Sequence, residues 1–171
     1  MKSGVLGSKY SSQNTAFQPL HNSKKSLICQ CFLHEVSLRQ YMLILTPFTK
    51  ALESLEMVLK EGKTDIVRDS AIQRFEYTYE LGFKMLKRYL EMSDATTSSI
   101  DEMSFRELMR LGAEKGCLTN PEKWSEYREA RNISSHAYDA KKAEEIYAIL
   151  PAFAKDARAL HDILKERAPS V

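Results

Sequence analysis

The 171-residue sequence is poor in cysteine, glycine and proline, and each shortage excludes a class of protein. Its three cysteines make an odd number without framework spacing, which argues against an oxidised secreted scaffold and favours reduced thiols in a cytoplasmic protein. Cys29 and Cys31 lie too close together for the usual zinc pair and lack a second pair, so we expect no metal site. Six glycines and five prolines exclude a collagen-like or low-complexity chain.

Long hydrophobic runs are also missing. The most apolar stretch near the front, residues 27–45, is interrupted by His34, Glu35, Arg39 and Gln40. It is too polar for a membrane-spanning helix and is not the core of a secretory signal. The sequence therefore predicts a protein without a membrane partner.

Strong charge of one sign is absent, because 25 basic and 23 acidic side chains leave a net charge of +2. This balance argues against a protein that binds nucleic acid through overall basicity. Residues 1–45 carry five basic side chains and one acidic, whereas residues 46–171 carry 20 basic and 22 acidic, a net of −2. Binding of RNA would therefore require a local concentration of positive charge. The candidates are Arg128, Arg131, Lys141 and Lys142.

The front of the chain differs from the rest. Residues 1–26 are rich in Ser, Asn and Lys without any sustained period, which predicts a mobile tail, and residues 27–45 fit a short strand or a short helix equally well. From Thr46 onward a helical period takes over. We therefore expect an extension over residues 1–45 and a helical domain over residues 46–168.

Apolar residues at steps of three and four predict the first two helices. Thr46 and Pro47 resemble an N-cap with a first-turn proline, and Gly62 is predicted to end this helix in the left-handed conformation. The second helix should run from Asp65 to about Met92. The apolar stripes are Phe48, Leu52, Leu55 and Leu59 in the first, and Ile72, Phe75, Tyr79, Phe83, Leu86 and Leu90 in the second.

The later helices have clearer start signals. Ser104 and Glu107 have the spacing of a capping box for a helix that ends near Gly116, and Asn120-Pro121 opens another. A last helix after Asp139 carries Ala143, Ile146, Leu150, Phe153, Ala157, Leu160 and Leu164. Since no segment from residue 46 onward alternates with period two, the sequence predicts an all-α antiparallel bundle of four to five helices.

Polar groups gather between the last two helices, in residues 128–139. Arg131 follows Trp124 and Tyr127 at helical spacing, which predicts a guanidinium on the inward face, and His136 follows where the helical pattern stops. An arginine can clamp phosphate oxygens and a histidine can transfer protons near neutral pH. Five helical residues separate two side chains by about 140°, so convergence requires a helix break or a second copy.

Structural explanations compete with this one. Arg131 could simply stack on Trp124 or pair with a carboxylate, and Glu80 could pair with Lys84 on the helix surface. Tyr79 belongs to the core stripe. The alternative is that aromatic rings and carboxylates form a nucleotide pocket, for which the candidates are Glu76, Tyr79, Glu80 and Trp124.

The longer pattern Arg131-Asn132-x-x-Ser135-His136-x-Tyr138 resembles the signature of the HEPN superfamily, in the R-x4-H-x-Y form found in partners of minimal nucleotidyltransferases. Residues 75–81 are similar to the second helix of the nucleotidyltransferase substrate-binding protein family within it. Arg106-Glu107 and Gly116-Cys117-Leu118, followed by Trp124, resemble that family's middle. The resemblance covers about residues 46–166. Phe83 departs from it where a tryptophan is expected, and Met42 lies about where a family member would begin.

The resemblance implies a homodimer with two facing Arg/His motifs and a metal-independent RNase toxin that needs no cofactor. Arg131 would be the phosphate clamp, His136 the acid or base and Asn132 the orienting group. Tyr138 matches the tyrosine to which the cognate nucleotidyltransferase adds AMP, which silences the toxin. A non-catalytic subunit that binds a nucleotide or RNA for the partner enzyme, or a helical interaction module without chemistry, stays open.

Overall fold

A computed structural model describes residues 43–93 and 100–167, and within these ranges the chain forms five α-helices, one 3-10 turn and no strand. The predicted all-α bundle is therefore confirmed. The expectations for residues 1–42, and for most of the polar connection after the second helix, lie outside the described residues. The helices are α1 (Thr46–Val58), α2 (Asp65–Ser93), α3 (Phe105–Glu114), α4 (Pro121–Ile133) and α5 (Ala140–Arg167), and the 3-10 turn is Ser134–His136.

Helix α2 is the centre of the bundle, because it packs against α1, α3, α4 and α5. The connection from α1 has only six residues and the two helices pack against each other, so α1 and α2 run antiparallel. The predicted stripes face the core, except that Leu59 and Phe83 are only partly buried. All seven stripe residues of α5 are buried, and the helix continues through Pro151, which is exposed.

Close approaches place α4 against its neighbours. Gly82 lets α2 come near two other helices, because a Cβ atom there would lie 3.2 Å from the Phe48 ring of α1 and 3.7 Å from the Trp124 ring of α4. On the other side, the Tyr127 hydroxyl donates a hydrogen bond of 2.7 Å to Oδ2 of Asp156 on α5. Together these contacts hold α4 between the two longest helices.

Two helix ends differ from the sequence-based predictions. The N-cap of α1 is Leu45 instead of Thr46, and Thr49 Oγ1 donates to the Leu45 carbonyl at 3.0 Å. Gly62 does not end α1, because the helix stops at Val58 and this glycine has no left-handed φ angle. The next three residues, 59–61, form turns whose amides donate to the carbonyls of Leu55, Met57 and Val58, so a left-handed glycine was not needed there.

Other helix ends match their signals. The capping box at α3 is complete, with the Ser104 amide donating to Glu107 Oε2 at 2.8 Å and the Glu107 amide donating to Ser104 Oγ at 3.4 Å. Gly116 follows α3 with a φ of 67°. Asn120 precedes α4 with Pro121 in its first turn, although the Asn120 side chain does not cap the helix. None of the described helices is long and apolar enough to cross a membrane.

Replacing Gly116 by alanine should destabilise the protein by about 1 kcal/mol or more, because its left-handed backbone disfavours a Cβ atom. That atom would also lie 3.3 Å from the Arg167 guanidinium. Gly62→Ala is the matched control, since a Cβ atom there meets open space and ordinary backbone angles. Urea unfolding should show a loss for Gly116→Ala and a neutral or slightly stabilising effect for Gly62→Ala. Equal effects would contradict this assignment of the two glycines.

Candidate functional site at the end of helix α4

Helix α4 ends between Arg131 and His136. The α-helix stops at Ile133, and the next three residues form the 3-10 turn before α5 begins at Ala140. The Ser134 hydroxyl contacts the Arg131 carbonyl at 2.7 Å, and Ser135 Oγ donates to the Asn132 carbonyl at 3.2 Å. Serine side chains that compete for backbone acceptors in this way favour the end of a helix. The predicted position of His136 at a helix end is therefore found.

Two carboxylates of α2, one helical turn apart, contact this junction. Glu76 accepts a hydrogen bond from the buried Ser134 hydroxyl, and Oε1 of Glu80 lies 2.7 Å from Nε of Arg131. The Arg131 Nε–H group is not aligned for a hydrogen bond, so this second contact is an ion pair. Helix α2 thus holds α4 at the last full turn and at the residue that ends it.

The pairing of Arg131 with a carboxylate, one of the structural explanations that the sequence left open, is found, and two other expectations are corrected. The surface pair between Glu80 and Lys84 is not formed among the described residues, since Glu80 pairs with Arg131 instead. Arg131 does not point into the core, because its side chain is 43% exposed. Arg131 shares a helix face with Trp124 and Tyr127, but it lies in the last turn of α4, beyond the end of the core.

His136 and Tyr138 project from the turn into solvent. The Tyr138 side chain is 86% exposed, and its ring meets the His136 imidazole edge-on at a centroid distance of 6.0 Å. His136 is also exposed, and no carboxylate of the described residues forms an ion pair with it. Both groups are therefore accessible to a substrate or to a modifying enzyme.

A cavity of about 350 Å³ lies beside Arg131, between α2, α3 and α4. Its floor contains a row of rings, in which Phe83 stacks against Tyr79 at 6.5 Å and against Phe105 at 5.7 Å. The Arg128 guanidinium covers the Phe105 ring at 4.5 Å. Asn132 lines the same cavity, so two of the three residues to which the resemblance gives a catalytic role border one concave surface.

Tyr79 lies at the base of this cavity as a neutral phenol. Burial raises the pKa of its hydroxyl to about 12, and the Glu80 carboxylate also raises it, whereas Arg128 and Arg131 lower it. The group therefore keeps its proton throughout the neutral range and can act as a hydrogen-bond donor.

The four residues assigned to a nucleotide pocket occupy different environments. Tyr79 and Glu80 line the cavity, and Glu76 is engaged by Ser134. Trp124 is only 2% exposed, and the structure places it in the core, against Tyr127 and Phe153, instead of at the cavity. Within the described ranges, no group of three or more His, Cys, Asp or Glu side chains could hold a metal ion.

Residues 43–166 match the family model described as nucleotidyltransferase substrate binding protein like. The chain belongs to this family. It is 38% identical over 106 residues to the protein of Haemophilus influenzae named probable ribonuclease HepT, an alignment that covers 60% of this chain and 73% of that protein. The family resemblance seen in the sequence motifs is thereby confirmed.

Two solved structures share the fold. A Haemophilus influenzae protein, described as having the fold of a substrate binding domain of a nucleotidyltransferase, is 31% identical with a TM-score of 0.68, covering 71% of this chain and 99% of that one. A Thermus thermophilus protein is 30% identical with a TM-score of 0.59, covering 69% and 98%. The family fold therefore accounts for the described bundle.

The sequence indicates Glu76 and Glu80 as candidates for a nucleotide pocket, but it does not show that they hold the family motif in place. Glu76 and Glu80 lie on one helix face, so the sequence indicates that they are neighbours. It does not indicate which groups they bind. Ser134 lies where the helical pattern stops, and its hydroxyl reaches Glu76 across 58 positions in sequence, a contact that no local pattern predicts. The stacking of Arg128 on Phe105 likewise depends on how α3 and α4 pack.

Proposed function

We propose that this protein is the HEPN-type toxin of a two-component system and cleaves RNA without a metal ion, in partnership with a nucleotidyltransferase that silences it by AMPylation of Tyr138. The observation that carries the proposal is the end of α4 between Arg131 and His136. On a continuous helix the two side chains would diverge by about 140°. The 3-10 turn removes that constraint and leaves both side chains accessible.

Arg131 is suited to clamp a phosphate. A guanidinium has donors on three nitrogens, and the ion pair with Glu80 is formed at Nε. The two terminal nitrogens stay available for two oxygens of one phosphodiester, which is the bidentate geometry that arginine favours. Glu80 then orients the clamp, and Asn132 next to it supplies an amide for the same substrate.

His136 is assigned the proton transfer. In the proposed reaction the 2′ oxygen forms a bond to phosphorus and the bond to the 5′ oxygen breaks, giving a 2′,3′-cyclic phosphate and a 5′-hydroxyl end. The imidazole accepts the proton from the 2′-hydroxyl or donates one to the leaving 5′ oxygen, and Arg131 stabilises the extra charge on the phosphorane. A second protomer facing the first would contribute the other histidine, so a homodimer is part of the proposal.

Tyr138 is assigned the modification site because its phenol is the most exposed aromatic group among the described residues. Transfer of AMP from ATP to this oxygen, with release of pyrophosphate, would add a negative charge and a bulky nucleotide beside His136. A phosphate at that position competes electrostatically with the RNA phosphate. The names of the relatives, a probable ribonuclease and a nucleotidyltransferase substrate binding domain, support the two halves of the proposal.

A second candidate is a non-catalytic subunit that binds a nucleotide or RNA for the partner enzyme. The cavity beside Arg131 favours it, since aromatic rings and two arginines border a concave surface of ligand size. The two candidates differ in whether RNA is cut.

His136→Ala should reduce RNA cleavage about 100-fold or more, because loss of a general acid or base usually costs 10² to 10⁴ in rate. The measurement is cleavage of labelled RNA in EDTA by purified dimer shown by mass spectrometry to carry no AMP. Glu145→Ala is the control, since Glu145 is an exposed residue in the first turns of α5 and has no assigned role. The RNA cleavage rate of this control should equal that of the parent protein without AMP.

Two results would contradict the RNase assignment. Intact RNA after incubation with AMP-free protein that still binds nucleotide would favour the second candidate. Cleavage by His136→Ala at the same rate as the parent would place the activity elsewhere.

Co-expression with the cognate nucleotidyltransferase should add the mass of one or more adenylyl groups to the intact protein, and Tyr138→Phe should abolish the addition. Tyr77→Phe is the matched control, because Tyr77 is the other large exposed aromatic residue of the described part, at 38% exposure. Modification that persists in Tyr138→Phe and maps to another residue would refute the assignment of Tyr138.

A further inference from the structure

The cavity beside Arg131 is one end of a longer depression between α3 and α4. A second depression shares Phe105, Arg128 and Asn132 with it, and a third shares Arg106 and Ser125 with the second. The surface formed by these three, called here the α3–α4 groove, follows α4 from Pro121 to Asn132. At 1.5 Å per residue this is a length of about 16 Å.

The groove has the opposite charge to the domain that contains it. Five basic and three acidic side chains line it, whereas residues 46–171 carry a net charge of −2. Two of the five are neutralised, because Lys87 pairs with Asp101 and Arg131 with Glu80. The other three are exposed and have no carboxylate within ion-pair distance in the described part of the chain. They are Arg106, Arg110 and Arg128.

Aromatic rings alternate with these cations. Phe105 precedes Arg106 on α3 and stacks against Phe83 at 5.7 Å, and the Arg128 guanidinium lies 4.5 Å from the centre of the Phe105 ring, in a cation–π contact. Surfaces that bind single-stranded nucleic acid combine cations that follow the backbone with planar groups on which bases stack. An acidic protein segment would use the cations but has no need of the stacked rings, so the polynucleotide is favoured.

We propose that the α3–α4 groove binds single-stranded RNA and leads it to the Arg131 and Asn132 end, where the proposed cleavage takes place. The inference rests on the proposed function for the identity of the ligand. Arg106 and Arg110 contact phosphates of nucleotides distant from the scissile bond, and the exposed Arg128 guanidinium, held on the Phe105 ring, stacks a base beside it. This arrangement provides RNA affinity in a domain of negative net charge.

The experiment measures binding of a fluorescent, unstructured RNA by anisotropy, in His136→Ala protein so that no cleavage intervenes, between about 50 and 200 mM salt. Arg106→Gln with Arg110→Gln should weaken binding about tenfold and reduce the slope of log affinity against log salt by about 1.4, since each single-strand phosphate contact contributes about 0.7. Arg106→Lys with Arg110→Lys should retain the slope.

The matched control is Lys50→Gln with Lys155→Gln, which removes the same charge from exposed positions on α1 and α5 outside the groove. An equal loss of RNA affinity in this control would overturn the proposal that the groove binds RNA. Unchanged RNA binding in the arginine variant would overturn it as well. If the arginine variant no longer bound the nucleotidyltransferase but still bound RNA normally, that result would also overturn the proposal and would assign the groove to the partner protein. If RNA binding depends on the groove arginines as expected but the parent protein does not cleave RNA, only the RNase proposal is refuted.

Discussion

The contact between two carboxylates of α2 and the end of α4 is the constraint on which the candidate site depends. Glu76 binds the hydroxyl of Ser134, the residue that terminates the helix, and Glu80 holds Arg131 one turn earlier. One contact determines where the backbone leaves the α-helix, and the other determines where the guanidinium points. Without them the family motif would be a sequence pattern on an exposed helix end, where side-chain entropy disfavours a single geometry.

The core of the bundle determines that these groups meet. Gly82 allows α2 to approach Phe48 and Trp124 closely, and the bond from Tyr127 to Asp156 holds α4 against α5. The fully buried residues therefore have an indirect role in the site, since they set the spacing of the helices that carry it. The same packing leaves the last turn of α4 beyond the core, which is why Arg131 is half-exposed and His136 reaches solvent.

Local signals predicted much of the fold and only part of the site. Helical periodicity identified α2 to within a residue and seven of the nine buried residues of α5, because burial of an apolar face repeats regularly along the chain. The motif residues were found by their resemblance to a family. The pairing of Glu80 with Arg131 instead of Lys84 was not predictable, since it depends on contacts 51 positions apart. Thr46 and Gly62 were misassigned because their residue types permit a cap or a stop but do not require one.

The most direct test of the central claim is amide hydrogen exchange of the junction, residues 131–139, compared between the unmodified protein and a Glu76→Ala, Glu80→Ala variant. We expect faster exchange in this segment alone, with unchanged protection in the buried middle of α5 around Phe153, because the two carboxylates hold the junction and not the bundle. Equal protection of the junction in both proteins would contradict the claim. So would a uniform loss of protection throughout the bundle, which would show that the carboxylates stabilise the whole fold instead.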